Sequence, residues 1–352
     1  MKNHFCDILV IGAGPAGSSA ALAAARKGKG VILVDRRPVV GVPVRCAEYI
    51  PALLMGKINT DKSFVVQSVR GMRTILPDGT ATEIRAPGFT IWRDLFDQAL
   101  AAAAKQAGVQ LFLSTHAVSR NGNKIHLKGL DGTHMTIAAK VIIGADGPHT
   151  TVGKWIGSVN QHLIPAIQVR VPLIRPMDMT EIYFDTRIFG GYGWLFPKGK
   201  SANIGLGMKG TKHKPPQLKR ELKRFISKLA QAGKIRNEFS GYTAGWIPAN
   251  RPRKVVYENV LLVGDAAGHT HPITGAGIYP AVVCGQMAGK WAARAVESNN
   301  LNLLGSYEAQ WRNLFEEAME RAYSRLQFRE SNWMRLNEII YRCWVTFRAY
   351  YE

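Results

Sequence analysis

Gly12, Gly14 and Gly17 stand in GxGxxG spacing within VIGAGPAGSSA, residues 10–20. In that spacing the first glycine allows a tight turn, the second lets backbone approach a pyrophosphate, and the third lets a helix lie close on a strand. Pro15 and Ala16 fall between them, where the helix opens with free N–H groups and the positive end of its dipole. Asp35 ends the next apolar run, GVILVD, about twenty residues on, where a carboxylate accepts hydrogen bonds from ribose hydroxyls. This strand–turn–helix–strand unit predicts a bound dinucleotide. It does not separate NAD from FAD.

Two distant segments bear on that choice. Asp146-Gly147 follows an apolar run in KVIIGADGPHTTVGKWIG. Gly264-Asp265 follows another in ENVLLVGDAAGHTHPITGAGIYPA, where Gly275, Ala276, Gly277 and Ile278 open a helix. Taken in order with the loop at 12–17, these resemble the three fingerprints of glutathione-reductase-type FAD proteins. The branch they resemble contains para-hydroxybenzoate hydroxylase and geranylgeranyl reductase, over most of residues 5–300. The resemblance implies FAD. It implies that Asp265 meets the ribityl chain or the pyrophosphate, and that Pro272 shapes the loop before the flavin ring. It also implies that the helix beginning near Thr274–Gly277 aims its N-terminus at the flavin N1/O2 edge, where reduced flavin carries negative charge. Arg93 resembles the family arginine that meets the cofactor, with a surface arginine as the alternative. Arg36 and Arg45 are placed with the cofactor set. In the family the Asp146-Gly147 pair also serves a transient nicotinamide, so NAD(P)H is carried as one candidate electron donor.

The substrate side rests on two stretches. GGYGWLFPKGKSANIGLG resembles the YxWxFP segment of geranylgeranyl reductases, here Tyr192, Trp194, Phe196 and Pro197. In a strand the three aromatics share one face and can line an apolar cavity, or pack as ordinary core. GVPVRCAEYIP resembles the PVRCGE stretch of the same reductases, with Ala47 where that pattern has glycine. Cys46 matches the family cysteine near the flavin and is the candidate catalytic residue, with Tyr49 beside it. The alternative for Cys46 is a small buried hydrophobe. His269 and His271 flank the flavin loop and are candidates for the substrate pocket, with hydrogen-bonded loop histidines as the alternative.

The elements that must position these groups follow from pattern. Residues 7–11, 30–35, 140–146 and 258–268 carry the short apolar runs of buried strands. IWRDLFDQALAAAAKQAG has helical spacing and a C-terminal glycine. VQLFLSTHAV reads as one strand. Residues 121–144 carry Asn-Gly and Asp-Gly turns and read as a β-meander. From about 160 to 247, strand-like segments surround a basic helix, and 63–85 reads as further strands of that sheet. The expected fold is α/β: a Rossmann-like FAD domain from 1–62, 86–157 and 248–300, a β-rich substrate domain from 63–85 and 158–247, and a helical C-terminal segment over 301–352. The last stretch, SNWMRLNEIIYRCWVTFRAYYE, reads as amphipathic with its apolar side to the core, or as an interfacial helix.

The formal net charge is +21 over 352 residues, with a dense basic run from Lys209 to Lys228. Such a field draws anionic partners. No nucleic-acid motif accompanies it, so an acidic protein or an anionic membrane is the expected partner rather than nucleic acid. The four cysteines form no CxxC pair, which suggests neither an iron–sulfur nor a zinc framework and fits a reducing compartment. No apolar run spans a bilayer and the N-terminus does not read as a signal peptide, so a cytoplasmic protein is expected, with peripheral membrane association. Two activities are consistent with these residues. One is reduction of carbon–carbon double bonds in an apolar prenyl or lipid-like substrate by hydride from flavin N5. The other is oxygen-dependent hydroxylation of an aromatic substrate, including a tryptophan of a partner protein in quinone-cofactor assembly.

Overall fold

Continuous apolar runs such as ILVI and VILV can be buried on both faces, and they form the centre of a parallel sheet. The computed structural model describes residues 2–210, 215–239 and 241–352. In chain order the strands are β1 (Lys2–Ile11), β2 (Val31–Val34), β3 (Tyr49–Pro51), β4 (Val65–Ile75), β5 (Ala81–Ile91), β6 (Gln110–Phe112), β7 (Thr115–Asn121), β8 (Lys124–Gly129), β9 (His134–Gly144), β10 (Leu163–Pro172), β11 (Met179–Tyr183), β12 (Tyr192–Lys198), β13 (Ser201–Gly207), β14 (Thr243–Pro248), β15 (Val256–Tyr257) and β16 (Val260–Leu262). The helices are α1 (Pro15–Ala25), α2 (Arg93–Gln106), α3 (Thr151–Trp155), α4 (Leu218–Gln231), α5 (Ile278–Glu297), α6 (Gly305–Ser331) and α7 (Leu336–Cys343).

The first sheet runs β15-β16-β9-β1-β2-β6, with β8 joining β9 and β7 joining β8. Strands β16, β9, β1, β2 and β6 are parallel, so their C-terminal ends share one edge. The second sheet runs β14-β10-β13-β12-β11-β4-β5-β3 and is antiparallel except where β11 meets β4. The basic helix α4 buries Leu222, Phe225, Ile226 and Leu229 against one face of this sheet. Residues 211–214 of the basic run lie outside the described residues.

Three sequence expectations are redrawn by these strands. The expected boundary at 85/86 falls inside β5, which continues to Ile91. Pro87 interrupts the pattern there, yet the opposing strand shifts register between Val69 and Gly71, so the missing N–H is accommodated. Tyr49–Pro51, within the expected first segment of the FAD domain, also pairs into the second sheet. The single strand expected over VQLFLSTHAV is two, β6 and β7, broken where Ser114 takes a left-handed conformation at φ 53°.

Small residues in α1 and α5 let the two helices touch through their backbones. A Cβ on Gly285 would lie 2.2 Å from the Ala16 carbonyl oxygen, and one on Gly289 would lie 2.1 Å from that of Ala20. The matched spacing of these contacts means the helices run parallel. Both N-termini therefore point to the C-terminal edge of the first sheet, and α5 begins roughly 9 Å beyond α1 at 1.5 Å per residue. After α6 the chain turns through a short 3-10 segment into α7 and folds onto the other face of the second sheet. Gly285→Val is expected to destabilise the protein by about 1–3 kcal/mol by forcing these helices apart. Urea unfolding checks this, and an unchanged midpoint would contradict the contact.

Candidate active site

The C-terminal edge of the parallel sheet collects three of the expected motifs. The Gly12 N–H donates to Val34 O at 2.7 Å, and Ala145 N donates to Ile11 O at 2.7 Å. Gly12 has φ +105°, and a Cβ there would lie 2.3 Å from Ala145 O. A Cβ on Gly17 would lie 1.8 Å from Gly12 O, whereas one on Gly14 would meet nothing within 4 Å. The first and third glycines are thus closed by protein and the second faces open space beside the start of α1. Asp35 holds this loop: its carboxylate accepts from Ala13 N at 2.7 Å and Arg37 N at 2.8 Å. Each oxygen keeps a further lone pair for a ribose hydroxyl. Arg36 and Arg45 are exposed. This cradle fits the ADP half of FAD.

Asp146 has a local task. It accepts from the Thr150 hydroxyl at 2.6 Å, Thr151 N at 2.5 Å and Val152 N at 3.2 Å, so it ties down the start of α3. Burial pushes its carboxyl upward, against the pull of these donors. Gly147 beside it takes φ +85°.

Ahead of α5, the Thr270 hydroxyl donates to Asp265 Oδ1 at 2.9 Å. Burial pushes this carboxyl upward, opposed by Thr270 and by the charge of Arg93. A Cβ on Gly277 would lie 3.4 Å from the same oxygen, which sets the carboxylate beside the helix N-terminus. Among the described residues no side chain caps α5, so its first N–H groups remain for a ligand. Pro272 is buried in the loop before Gly275, Ala276, Gly277 and Ile278.

A corner not assembled from sequence lies at residues 46–48. Glu48 is 1% exposed and has φ 68°. Its carboxylate accepts from Lys198 Nζ at 2.5 Å, Asn203 Nδ2 at 2.8 Å, Arg170 Nη2 at 3.0 Å and Arg93 N at 3.0 Å. Burial brings Lys198 down to about 8 despite this partner. The Trp92 ring lies against both cations, 3.8 Å from Lys198 Nζ and 4.7 Å from Arg170 Cζ. The same turn holds Cys46: Glu48 N donates to its Sγ at 3.2 Å, and Gln168 Nε2 donates to its carbonyl at 2.6 Å. Arg93 makes a two-point contact with Asp97, at 2.7 and 3.1 Å, and also reaches the Cys46 thiol. Burial alone would lower the Arg93 pKa, but Asp97 and Cys46 more than offset it.

The aromatic face of β12 stands over the loop that opens α5. Trp194 and Phe196 are buried on that face, Tyr192 packs with them, and Leu195 faces the opposite side. The Tyr192 hydroxyl donates to the Thr274 carbonyl. Tyr49 lies 6.0 Å from Phe196, ring to ring, and donates to Ala86 O at 3.2 Å. The C-terminal segment completes the enclosure: Trp344 lies 5.1 Å from Tyr192 and 5.1 Å from Phe184. Tyr350 approaches His271 Nε2 at 3.3 Å, and Thr274 meets the other ring nitrogen. His271 therefore faces the loop and the C-terminal segment. His269 lies on the other side, 1% exposed and 4.9 Å from the Trp311 ring of α6. The structure places it away from the aromatic face.

Comparison with known proteins follows this geometry. A family model described as FAD dependent oxidoreductase matches residues 7–148, and one described as FAD binding domain matches residues 89–322. A digeranylgeranylglycerophospholipid reductase of Methanothrix thermoacetophila is 35% identical over 338 residues, covering 90% of this chain and 85% of that protein. A geranylgeranyl bacteriochlorophyll reductase-like structure from Thermoplasma acidophilum superposes with TM-score 0.83 at 28% identity, covering 96% of this chain and 92% of its own. Aklavinone-11 hydroxylase shares the fold with TM-score 0.73 at 20% identity, covering 96% of this chain and 71% of its own.

Burial makes the two loop histidines weak bases, His269 near 3 and His271 near 4 against an ordinary 6.5. Below 6.5 the unfolded chain binds protons that the folded chain refuses. Stability therefore falls as pH drops from 6.5 toward 3. His269→Phe, which keeps a ring against Trp311, is expected to flatten that fall in melting temperature against pH. An unchanged slope would contradict the buried neutral imidazole.

Proposed function

The chain belongs to the geranylgeranyl-reductase family of FAD-dependent oxidoreductases, and from that premise we propose that it saturates isolated carbon–carbon double bonds of a prenyl-lipid substrate. The observation that carries this reading is the join between the aromatic face of β12 and the loop opening α5, made by Tyr192 and Thr274. An isolated alkene offers no hydrogen-bonding handle, so it is held by shape against apolar rings. Tyr192, Trp194, Phe196 and Tyr49 supply those rings and keep water from the reacting carbons. FAD, when bound, supplies the hydride for one alkene carbon.

The chain's own residues do the rest. The loop at 12–17 and Asp35 hold the ADP half of the cofactor, and Asp265 holds its middle. The N-terminus of α5 offers N–H groups where charge accumulates on reduction. Cys46 holds the proton for the second alkene carbon, with Arg93 and Glu48 N fixing its sulfur. Among the described residues no helix is long and apolar enough to cross a membrane. A lipid substrate then calls for contact with a bilayer surface, and the exposed cations of α4, including Lys219, Lys223 and Lys228, suit an anionic one.

Holoprotein reduced without oxygen and mixed with a geranylgeranyl lipid is expected to yield product heavier by two hydrogens for each bond saturated. Cys46→Ala is expected to keep its flavin and slow this step by about 100-fold or more. Mass spectrometry reads the product and flavin absorbance reads the loading. Flavin that reoxidises only with oxygen, leaving the lipid unchanged, would overturn the reading.

A further inference from the structure

The ladder between β9 and β16 ends at Gly144 and Leu262, closed by the bond from Val263 N to Gly144 O at 2.9 Å. Past that point the chain enters two loops, one running through Pro148 and the other carrying Asp265. Among the described residues no backbone hydrogen bond joins them. A side chain does. Asn160, between α3 and β10, donates from Nδ2 to Pro148 O at 2.7 Å and to Asp265 O at 2.9 Å. Both amide hydrogens are thereby used.

The amide is held in this sense by its neighbours. Gln161 N and His162 N both donate to Asn250 Oδ1 at 2.9 Å, which turns Asn250 Nδ2 toward Asn160 Oδ1, also at 2.9 Å. Arg253 Nη1 donates to the same Asn160 oxygen at 2.7 Å. Arg253 then reaches the second loop itself, with Nη2 on Ala266 O at 2.6 Å, and returns to Ser158 Oγ through Nε at 3.1 Å. A Cβ on Gly268 would lie 3.2 Å from both Arg253 Nη1 and Asn160 Oδ1, so the loop after Asp265 closes against this clamp. The clamp stands where the chain leaves the first sheet for β10 and where it comes back from β14.

The loop through Pro148 is already tied to the glycine loop, by Ala145 N on Ile11 O and by the close approach of Gly12 to Ala145 O. Asn160 adds the next link, so the three loops are chained from residue 12 to residue 265. An apolar contact could join the two crossings of the chain. Only a group with two donors on one atom fixes both loop carbonyls to the span of a single amide.

We infer that Asn160, oriented by Arg253 and Asn250, is a positioning residue for FAD: it sets the spacing at which a cofactor held by the 12–17 loop also meets Asp265 and the start of α5. It acts through the backbone of Pro148 and Asp265. This rests on the placement of FAD proposed above and is independent of which alkene is reduced.

The test titrates full-length protein freed of flavin with FAD and, separately, with ADP, which has no ribityl chain or ring to reach Asp265 and α5. Asn160→Asp keeps the shape and the acceptor oxygen but has no hydrogen for either carbonyl. It is expected to raise the Kd for FAD about tenfold or more and to leave the Kd for ADP unchanged. Arg253→Met is expected to do the same, Arg253→Lys to restore part of the loss, and the double variant with Asn160→Asp to be no worse than the weaker single one, as members of one clamp. Equal weakening of FAD and ADP would make Asn160 structural and overturn the inference, as would an unchanged Kd for FAD. If Asn160→Asp does not fold, the two Arg253 variants decide by the same comparison. Wild-type protein that binds FAD no more tightly than ADP would instead overturn the placement of FAD, and the clamp with it.

Discussion

Glu48 carries a buried carboxylate shared by donors from three strands of the second sheet and from the start of α2. Removing Glu48 would leave the buried Lys198 ammonium without its counter-charge, a situation that costs about 3–5 kcal/mol. Such a cluster adds little net stability compared with a packed apolar core. What it adds is position, because its geometry is satisfied in only one arrangement of the second sheet against the start of α2. Glu48 adopts a left-handed backbone at that point, an expense a glutamate bears only when its surroundings fix it. Cys46 and Arg93 inherit their places from this turn.

The second constraint is the parallel contact of α1 with α5. Backbone contact at Ala16–Gly285 and Ala20–Gly289 staggers two helix N-termini along one direction. One end stands beside the open face of Gly14 and the other beside Asp265 and Gly277. An extended dinucleotide needs its anionic groups and its reacting ring served at separate points, and in the proposed placement this stagger offers two helix N-termini for them. The aromatic face of β12 then approaches the second point through Tyr192. The second sheet and the loop that opens α5 are therefore joined at Thr274, whose carbonyl accepts from Tyr192.

Much of this was legible in sequence because it is local. The apolar runs, the glycine spacing and the acids closing the strands depend on neighbours in the chain, and they mark the parallel sheet and the expected cofactor cradle. The alternation of Tyr192, Trp194 and Phe196 likewise defined a face before any partner was known. Glu48, Lys198 and Arg170 are not legible there because their meaning lies in pairings more distant than any pattern window; Glu48 and Lys198 are 150 positions apart. A glutamate two residues past Cys46, entering an apolar strand, was the signal available for that cluster. His269 shows the opposite case, a residue adjacent in sequence to the flavin loop whose ring turns into the core against Trp311.

In the proposed reaction the bound flavin is a hydride donor to an alkene and has no need of oxygen. The most direct measurement replaces FAD with 5-deaza-FAD, which transfers hydride but does not activate oxygen, and follows a single turnover with a geranylgeranyl lipid by mass spectrometry. A saturated bond is expected in the deazaflavin protein as in the native one. Product formed with FAD in air and lost with 5-deaza-FAD would contradict it.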